Sequence, residues 1–235
     1  MSFFEEIAYG NNHIISFLHV ATGREVSFPA FIRQFSDTYN VNWQEVESFG
    51  RTDPVQNYQS TKRQISIGFD VVSDSLESAK RNMEKYSLLK RMLYPVYSAP
   101  LDAGYTGTPG AKGRTIKAPP YIRLKFMNYI ENISDSSFEQ GLLGCIKGFK
   151  FDPDIAKNGT FIDEDNKLLP KYFTISFTFD PQHEETLGWG LDGQFLSTRF
   201  PYRTGVERLS EQNAKTTNED VRRTNERSVL DGGNS

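Results

Sequence analysis

The residue types that most often carry out chemistry in proteins are sparse and scattered in this sequence. The three histidines, His13, His19 and His183, lie far apart and lack the spacing that two histidines need to share a metal ion. The acidic cluster 163–166 (Asp-Glu-Asp-Asn) offers oxygen ligands, but the glycine and the distal glutamate of a calcium-binding loop are missing. We therefore predict that this cluster is a solvated turn and that the chain holds no intrinsic metal ion.

Motifs for phosphate binding and for nucleophilic catalysis are incomplete as well. Segment 107–113 (Gly-Thr-Pro-Gly-Ala-Lys-Gly) has the composition of a phosphate-binding loop, but no Gly-Lys-Ser or Gly-Lys-Thr triplet occurs. No Gly-x-Ser-x-Gly turn is present, and the single cysteine, Cys145, falls in an apolar strand where we expect an inert core residue. The sequence thus predicts no catalytic constellation and no cofactor, so the chain is not expected to be an enzyme.

Composition narrows the class of protein further. The 235 residues suffice for one large domain or two small ones, and a single cysteine excludes an internal disulfide framework. A net charge of −3 argues against nucleic-acid binding through a strongly basic face. The start of the chain is acidic and no segment approaches the roughly 20 apolar residues of a membrane span, so we expect a cytosol-like compartment and no membrane partner.

The elements that must position any site are mostly strands. Apolar and polar residues alternate with period two in segments 65–71, 121–127 and 173–179, which is typical of strands with one apolar and one wettable face. Weaker strand candidates are 14–20, 25–28, 41–49 and 143–151. Aromatic residues make up 13% of the chain, which also favours pleated sheet. Antiparallel sheet is therefore the predicted main component.

One segment has the helical period instead. Between residues 75 and 93 apolar side chains recur every three or four positions, and charged side chains fill most of the others. Pro95 ends this helix. The residues predicted to be buried on its apolar face are Leu76, Ala79, Met83, Tyr86 and Leu89. Since one helix cannot cover two sheet faces, the predicted fold is a mainly β, antiparallel sandwich or barrel with one flanking amphipathic helix.

Two segments are predicted to be irregular. Segment 98–120 is rich in glycine and proline with hardly any apolar side chain, and a loop of this length is usually functional or disordered. Segment 203–235 carries six basic and six acidic residues with only six apolar ones, so it cannot form a core of its own. We predict a β domain over 1–202 and a polar C-terminal arm over 203–235 that orders against a partner.

A series of aromatic and proline motifs has no obvious chemistry, and its order resembles a known family. In chain order the motifs are Phe28–Phe31, Phe49–Pro54, Tyr58–Arg63, the helix, Leu93–Tyr97, Lys117–Pro120, Gly141–Gly144 and Leu169–Lys171. Together they resemble the tail-tube-related ring proteins of tailed bacteriophages, and most of all the tube-initiator type at the junction of baseplate hub and tail tube. The resemblance covers roughly residues 28–190 and leaves 203–235 unmatched.

The resemblance implies a fold, a function and partners. It implies a tail-tube type β-sandwich whose long hairpins, contributed by six copies, close into one continuous barrel around a DNA channel. The channel strands are then 41–50 and 59–72, on either side of the Asp53-Pro54 turn. Its implied partners are further copies in a six-fold ring, adjacent tail-tube and hub proteins, the tape measure and DNA passing through the lumen. The implied interface or structural residues are Phe49, Arg51, Asp53, Pro54, Tyr58, Arg63, Tyr94, Pro95 and Tyr97.

Two other classes of function remain open from the residues alone. A carbohydrate- or peptide-binding β-sandwich would use exposed Trp43, Trp189 or tyrosines as stacking platforms and would be a monomer. A small hydrolase on a β fold would bring carboxylates with perturbed pKa values together in one deep pocket. The first of these is distinguished from a ring protein by its oligomeric state, and the second by its pocket.

Overall fold

The computed structural model describes residues 7–8, 10, 13–29, 31–47, 49–98, 114–131, 141–191, 193–197 and 200–202. The chain divides into two compact units, Met1–Glu184 and Glu185–Ser235. The strands of the first unit are β1 (Ile14–His19), β2 (Arg24–Pro29), β3 (Phe31–Val46), β4 (Val55–Val72), β5 (Val96–Tyr97), β6 (Ile116–Ala118), β7 (Ile122–Phe126), β8 (Leu142–Pro153), β9 (Thr160–Ile162), β10 (Leu168–Pro170) and β11 (Tyr172–Pro181). Between residues 13 and 184, the described helices are α1 (Leu76–Met92) and the short α2 (Ile155–Asn158).

Seven strands form one antiparallel sheet in the order β2-β1-β7-β8-β11-β4-β3. The remaining strands pair as the small ribbons β9–β10 and β5–β6. The fold is therefore mainly β and antiparallel with one long helix, as the sequence predicts.

The large sheet curls over on itself to enclose the core. Phe28 in β2 and Phe69 in β4 are five strand positions apart, which is about 24 Å in a flat sheet. Their ring centroids are nevertheless only 5.7 Å apart, and Phe17 in β1 lies 5.5 Å from Phe177 in β11. The two ends of the sheet thus face each other like the layers of a sandwich, with phenylalanine rings between them.

Helix α1 closes one side of this core. Ser75 caps its N-terminus by accepting a hydrogen bond from the Ser78 backbone N–H at 3.2 Å, and Glu77 lies near the positive end of the helix dipole. Leu89 and Ala79 are fully buried, and the Tyr86 ring stacks at 4.1 Å on Phe151 of β8. The helix predicted at 75–93 is confirmed.

The burial predicted along α1 is only partly correct. Leu76, Met83 and Tyr86 are half-buried rather than buried. Two polar residues four positions apart are buried instead: Ser78, and Asn82, whose side-chain amide donates to the Ser73 hydroxyl at 3.0 Å. Asn82 also donates to the Val72 carbonyl oxygen at 3.4 Å and so joins the helix to the end of β4.

Three further expectations need correction. Strand β3 begins at Phe31, ten residues before the predicted 41–49 segment. Residues 116–118, inside the segment expected to be irregular, form β6 against β5, whereas residues 99–113 lie outside the described residues. Cys145 is half-buried on β8 rather than part of the core, with its Sγ 4.0 Å from the Asp180 carbonyl oxygen.

The second unit is described over 185–191, 193–197 and 200–202. It contains an isolated bridge between Trp189 and Phe195, whose rings meet edge to face at 5.4 Å, and Phe195 stacks on Phe200 at 5.7 Å. The predicted arm 203–235 lies outside the described residues. Within the described parts of both units, no helix is long and apolar enough to span a membrane.

Candidate assembly interface

The long β3–β4 hairpin extends beyond the sheet that carries it. Strand β4 pairs with β11 only over Ile65–Val72, whereas its pairing with β3 continues to Val55. Residues 39–46 and 55–62 therefore form a two-stranded ribbon, named here the hairpin arm, and each of its strands spans about 25 Å. A two-stranded ribbon alone is marginally stable in water, so an arm of this length needs packing from elsewhere.

One face of the hairpin arm is aromatic and exposed. Cross-strand partners share a face, so Tyr39 with Arg63, Val41 with Thr61 and Trp43 with Tyr58 continue the side of β4 that enters the core at Ile65. Trp43 and Tyr58 meet edge to face at 5.5 Å but remain 53% and 57% exposed. This apolar face continues the core surface past the point where the subunit can cover it.

The opposite face of the hairpin arm carries amides and hydroxyls. Asn40, Asn42 and Gln44 on β3 lie opposite Lys62, Ser60 and Asn57 on β4. The Gln59 side-chain amide donates to the Gln44 amide oxygen at 2.5 Å, which ties the two strands together at a bulge. Apart from the Val46–Val55 pair at the tip, this face is polar and nearly uncharged.

A buried ion pair fixes the root of the hairpin arm. The Arg63 guanidinium donates from Nε to both carboxylate oxygens of Asp37, at 3.0 and 3.1 Å, and from Nη2 to Oδ2 at 2.8 Å. The two side chains are 4% and 5% exposed. Arg63 also lies 5.6 Å from the Tyr39 ring centroid, a cation–π arrangement. Arg63 therefore anchors both strands of the hairpin at the rim of the core.

The tip of the hairpin is the turn that the sequence predicts. Strand β3 ends at Val46, and strand β4 begins at its cross-strand partner Val55. Residues 47–54 connect the two strands. Gly50 has φ of 84°, a left-handed conformation that favours glycine, and the neighbouring Phe49 side chain is fully exposed. Arg51, Asp53 and Pro54 are exposed as well, so these predicted site residues share one protruding loop.

The remaining predicted interface residues lie elsewhere in the fold. Tyr94, Pro95 and Tyr97 follow the C-terminus of α1, where Tyr94 and Tyr97 are exposed and Pro95 is half-buried. Sequence motifs thus divide into a hairpin group and a helix-end group. A role for the second group in an interface stays a prediction.

Both ends of the large sheet present edges without a strand partner among the described residues. Strand β3 is bonded only to β4, and β2 is bonded only to β1. The outer edge of β4 over residues 55–64 is likewise open, because β11 ends before it. An open sheet edge leaves backbone N–H and C=O groups without a strand partner, which favours pairing with a strand of another chain.

The wettable face of the hairpin continues across β11 and β8. Thr174, Ser176 and Thr178 of β11 lie on it, and the Thr174 hydroxyl donates to Asp70 of β4 at 2.8 Å. Apart from Lys62, the charged groups of this face that the strand pairing brings together form ion pairs at 3.5, 2.5 and 3.1 Å. The pairs are Arg33–Asp70, Lys147–Asp180 and Lys150–Asp152. Paired charges leave the face hydrophilic and close to neutral.

Asp180 shows how the pairing acts on one titratable group. Burial alone raises the pKa of its carboxyl, but hydrogen bonds from Lys147 and from Gln64, at 2.5 and 3.1 Å, outweigh burial. The pKa of Asp180 therefore lies below its usual value, and the same hydrogen bond raises the pKa of Lys147. Asp180 stays ionised near neutral pH.

The acidic cluster is the turn that the sequence predicts. It joins β9 to β10, and its first residue, Asp163, forms an ion pair with Lys80 of α1 at 2.6 Å. That hydrogen bond lowers the pKa of Asp163. Among the described residues no group of three or more His, Cys, Asp or Glu side chains is arranged to hold a metal ion.

Sequence motifs missed two features of the hairpin. Asp37 and Val41 have no place in any motif, although Asp37 holds Arg63 and Val41 contributes to the apolar face. A longer strand from Phe31 onward would have brought both into view, because the alternation 37, 39, 41, 43 places them on one face. Trp43, weighed in the sequence only as a stacking platform, lies on the same face.

Comparisons with known proteins add little. No family model matches the chain, and no curated protein sequence matches it. Among solved structures, the chain is similar to a chain of the "Cryo-EM structure of the anti-feeding prophage (AFP) baseplate, 6-fold symmetrised". The TM-score is 0.28 and the identity 8%, over 71% of this chain and 87% of that chain. A TM-score of this size carries no argument about function, so the hairpin geometry and the order of the motifs must carry it.

Proposed function

We propose that this chain is a structural protein of a phage tail virion that forms a six-fold ring at the junction of baseplate hub and tail tube. The observation that carries the proposal is the hairpin arm, which has an uncovered aromatic face and a polar face. Such a ribbon is ordered and stable only when another surface covers its apolar side. The motif order, which resembles tail-tube-related ring proteins, makes further copies of this chain the proposed cover.

Ring closure accounts for the open sheet edges. A strand edge over 31–46 and a second edge over 55–64 belong to the same hairpin. In a ring, the β3 edge of one subunit pairs with the free β4 edge or the sheet of the next, so that neither open edge of the hairpin remains exposed. A closed barrel is the arrangement that removes every such edge.

The width of the channel decides how much of the sheet lines it. Two strands from each of six subunits, tilted by about 40° as barrel closure requires, would form a barrel about 24 Å across, measured between backbones. Inward side chains would leave no room in it for a DNA duplex, whose grooves alone are each about 8 Å deep. Four strands per subunit at the same tilt give about 48 Å. We therefore assign β8 and β11 to the channel wall beside β3 and β4, with which they are contiguous.

The chemistry of the wettable face supports passage of DNA without retention. Six of its charged groups form three ion pairs, and most of its other side chains are amides and hydroxyls, with apolar exceptions at Phe31, Val72 and the Val46–Val55 pair. Lys62 adds one further positive charge. Tight binding of a nucleic-acid backbone requires many cations that are free to neutralise phosphates, and this face offers few.

The neighbours proposed for such a ring follow from the motif resemblance. They are the tail-tube protein on one side, baseplate hub proteins on the other, and the tape measure and then DNA in the lumen. Assembly of the virion takes place in the host cytoplasm. Arm 203–235 is proposed to contact a neighbouring subunit or the adjacent ring, where its mixed charges favour ion pairs that set partner choice.

The hairpin arm can be removed without touching the core. Asn40 and Lys62 are paired across the hairpin. In the shortened variant, the two residues Asn-Gly replace residues 41–61 and connect Asn40 to Lys62 as a two-residue turn. Mass photometry and negative-stain electron microscopy of the full-length chain are expected to show six-fold rings. The shortened variant is expected to remain a folded monomer that keeps the circular dichroism of a mainly β protein and a cooperative thermal transition.

Point variants test the two faces separately. Trp43→Ser combined with Tyr58→Ser removes the aromatic pair and is expected to abolish rings, whereas Asn42→Ser on the polar face of the same strand keeps them. A full-length chain that stays monomeric up to its solubility limit overturns the proposal. So does a shortened variant that still forms rings. A monomer that binds a carbohydrate or peptide through Trp43 favours the binding-module alternative.

A further inference from the structure

A pocket with no part in the proposed ring lies where the β1–β2 turn meets the C-terminal end of α1. Its volume is about 510 Å³. Sites for small molecules measure about 300–1,000 Å³, so the pocket is of that size. The residues that line it are His19, Thr22, Arg24, Leu88, Arg91, Met92, Tyr94, Pro95 and Val96.

His19 is the buried polar group of this pocket. The residue is 3% exposed, and its Nδ1 lies 2.7 Å from the Thr22 hydroxyl. Its Nε2 is buried without a hydrogen-bond partner in the part of the chain that the structure describes. Burial lowers the pKa of His19, so the ring is neutral near pH 7. When Nδ1 accepts from Thr22, Nε2 carries the proton and is a donor in need of an acceptor.

Two arginines supply positive charge at the same pocket. Arg24 comes from β2 and Arg91 from the last turn of α1. Neither forms an ion pair with any described residue, whereas Arg63, Arg81 and Arg123 are each paired with a carboxylate of this chain. Guanidinium groups match the geometry of a carboxylate through two parallel hydrogen bonds. Three side chains that donate hydrogen bonds, those of His19, Arg24 and Arg91, therefore line the pocket, and no Asp or Glu is among its lining residues.

The rest of the wall is apolar. Leu88, Tyr94 and Pro95 contribute aliphatic and aromatic surface, and the last two belong to the helix-end motif that the ring proposal leaves without a role. A bare inorganic anion would leave this surface unused, whereas an apolar body attached to the anion would cover it. We propose that the pocket binds a small organic carboxylate that carries an aromatic or branched aliphatic body.

Histidine resonances report on this pocket directly. The chain has only three histidines, so the Cε1–H region of a carbon–proton NMR spectrum of the full-length protein contains three signals, and a His19→Gln variant assigns the signal of His19. Phenylacetate is the probe, phenylacetamide is its neutral isostere and acetate is the anion without a body. Phenylacetate is expected to shift the His19 signal saturably, leaving those of His13 and His183 in place. Phenylacetamide and acetate should each bind at least about tenfold more weakly.

Charge variants identify the groups that hold the carboxylate. Arg24→Gln and Arg91→Gln are each expected to weaken phenylacetate binding about tenfold or more. Arg81→Gln is the matched control, because it removes the same charge from the same helix at a residue paired with Glu77. Absence of a saturable His19 shift overturns the proposal. Equal binding of phenylacetamide, or an equal loss in Arg81→Gln, overturns it too. None of these results depends on whether the chain forms rings.

Discussion

The ion pair at the root of the hairpin arm provides the sharpest test of the packing described here. Asp37→Ala removes the partner of a guanidinium that is 4% exposed and that donates three hydrogen bonds to the lost carboxylate. Removing one member of a buried ion pair typically costs about 3–5 kcal/mol, because an uncompensated charge remains in the interior. We expect the free energy of unfolding to fall by that amount, which lowers the melting temperature by roughly 10 °C.

Urea denaturation followed by far-ultraviolet circular dichroism measures this loss. Because the proposed ring would also stabilise the folded chain, the measurement is made at several protein concentrations to separate the contribution of assembly. The control is Asp152→Ala, which breaks the exposed Lys150–Asp152 pair, with side chains 68% and 62% exposed, and should cost less than about 1 kcal/mol. The double variant Asp37→Leu, Arg63→Met should recover most of the lost stability.

The outcomes separate a buried pair from an exposed one. If Asp37→Ala costs no more than Asp152→Ala, water reaches Arg63 in solution, and the claim that this pair anchors the hairpin is wrong. If the apolar double variant is as unstable as Asp37→Ala alone, loss of packing rather than an unpaired charge is the cause. Either result would refute the reasoning independently of the proposed function.

Two more predictions concern close packing and pH. Gly144→Ala places a Cβ 2.6 Å from the Phe179 ring and against the Asp180 carbonyl oxygen, so it should lower the free energy of unfolding by about 1–3 kcal/mol in urea denaturation. Gly68→Ala is the control, because the nearest contact of its added Cβ is at 3.6 Å, and its free energy of unfolding should be nearly unchanged. The pKa of His183 lies below its usual 6.5, mainly because the side chain is buried and secondly because the Arg63 charge is close, whereas the Asp37 charge acts in the opposite direction. The unfolded chain therefore binds more protons just below about pH 6.5, so the free energy of unfolding should fall from about pH 7.5 to about pH 5.5. His183→Gln should flatten that fall, and an unchanged slope would contradict the assignment.

The elements that the sequence predicts well are those whose apolar period is complete. In β4, β7 and β11 one face enters the core, so period two appears without interruption. Strand β3 breaks this rule twice. A bulge between Ile32 and Gln34 places the inward residues Ile32 and Phe35 three positions apart, which hides the alternation. Farther along, the apolar positions face no core of their own subunit.

In the candidate site, too, features set by neighbouring residues in the sequence are predictable, whereas contacts between distant residues are not. The turn at 49–54 is predictable because glycine and Asp-Pro act locally. The partner of Arg63 is not, since Asp37 lies 26 residues away and only strand register brings them together. The pocket beside α1 escapes sequence analysis for the same reason, because His19, Arg24 and Arg91 come from three different elements.

The hairpin arm shows what an unsatisfied pattern can mean. Along β4 the alternate residues Ile65 and Ile67 are covered by their own subunit, but on the same face of β3 Val41 and Trp43 remain exposed. When apolar alternation continues along a strand past the end of the core, the extra apolar side chains do not stabilise a monomer. They remain exposed to water and favour aggregation instead. The pattern is stabilising only if another chain covers that face. The surplus of apolar positions, more than any single motif, is therefore the physical reason to expect that this chain works as part of an assembly.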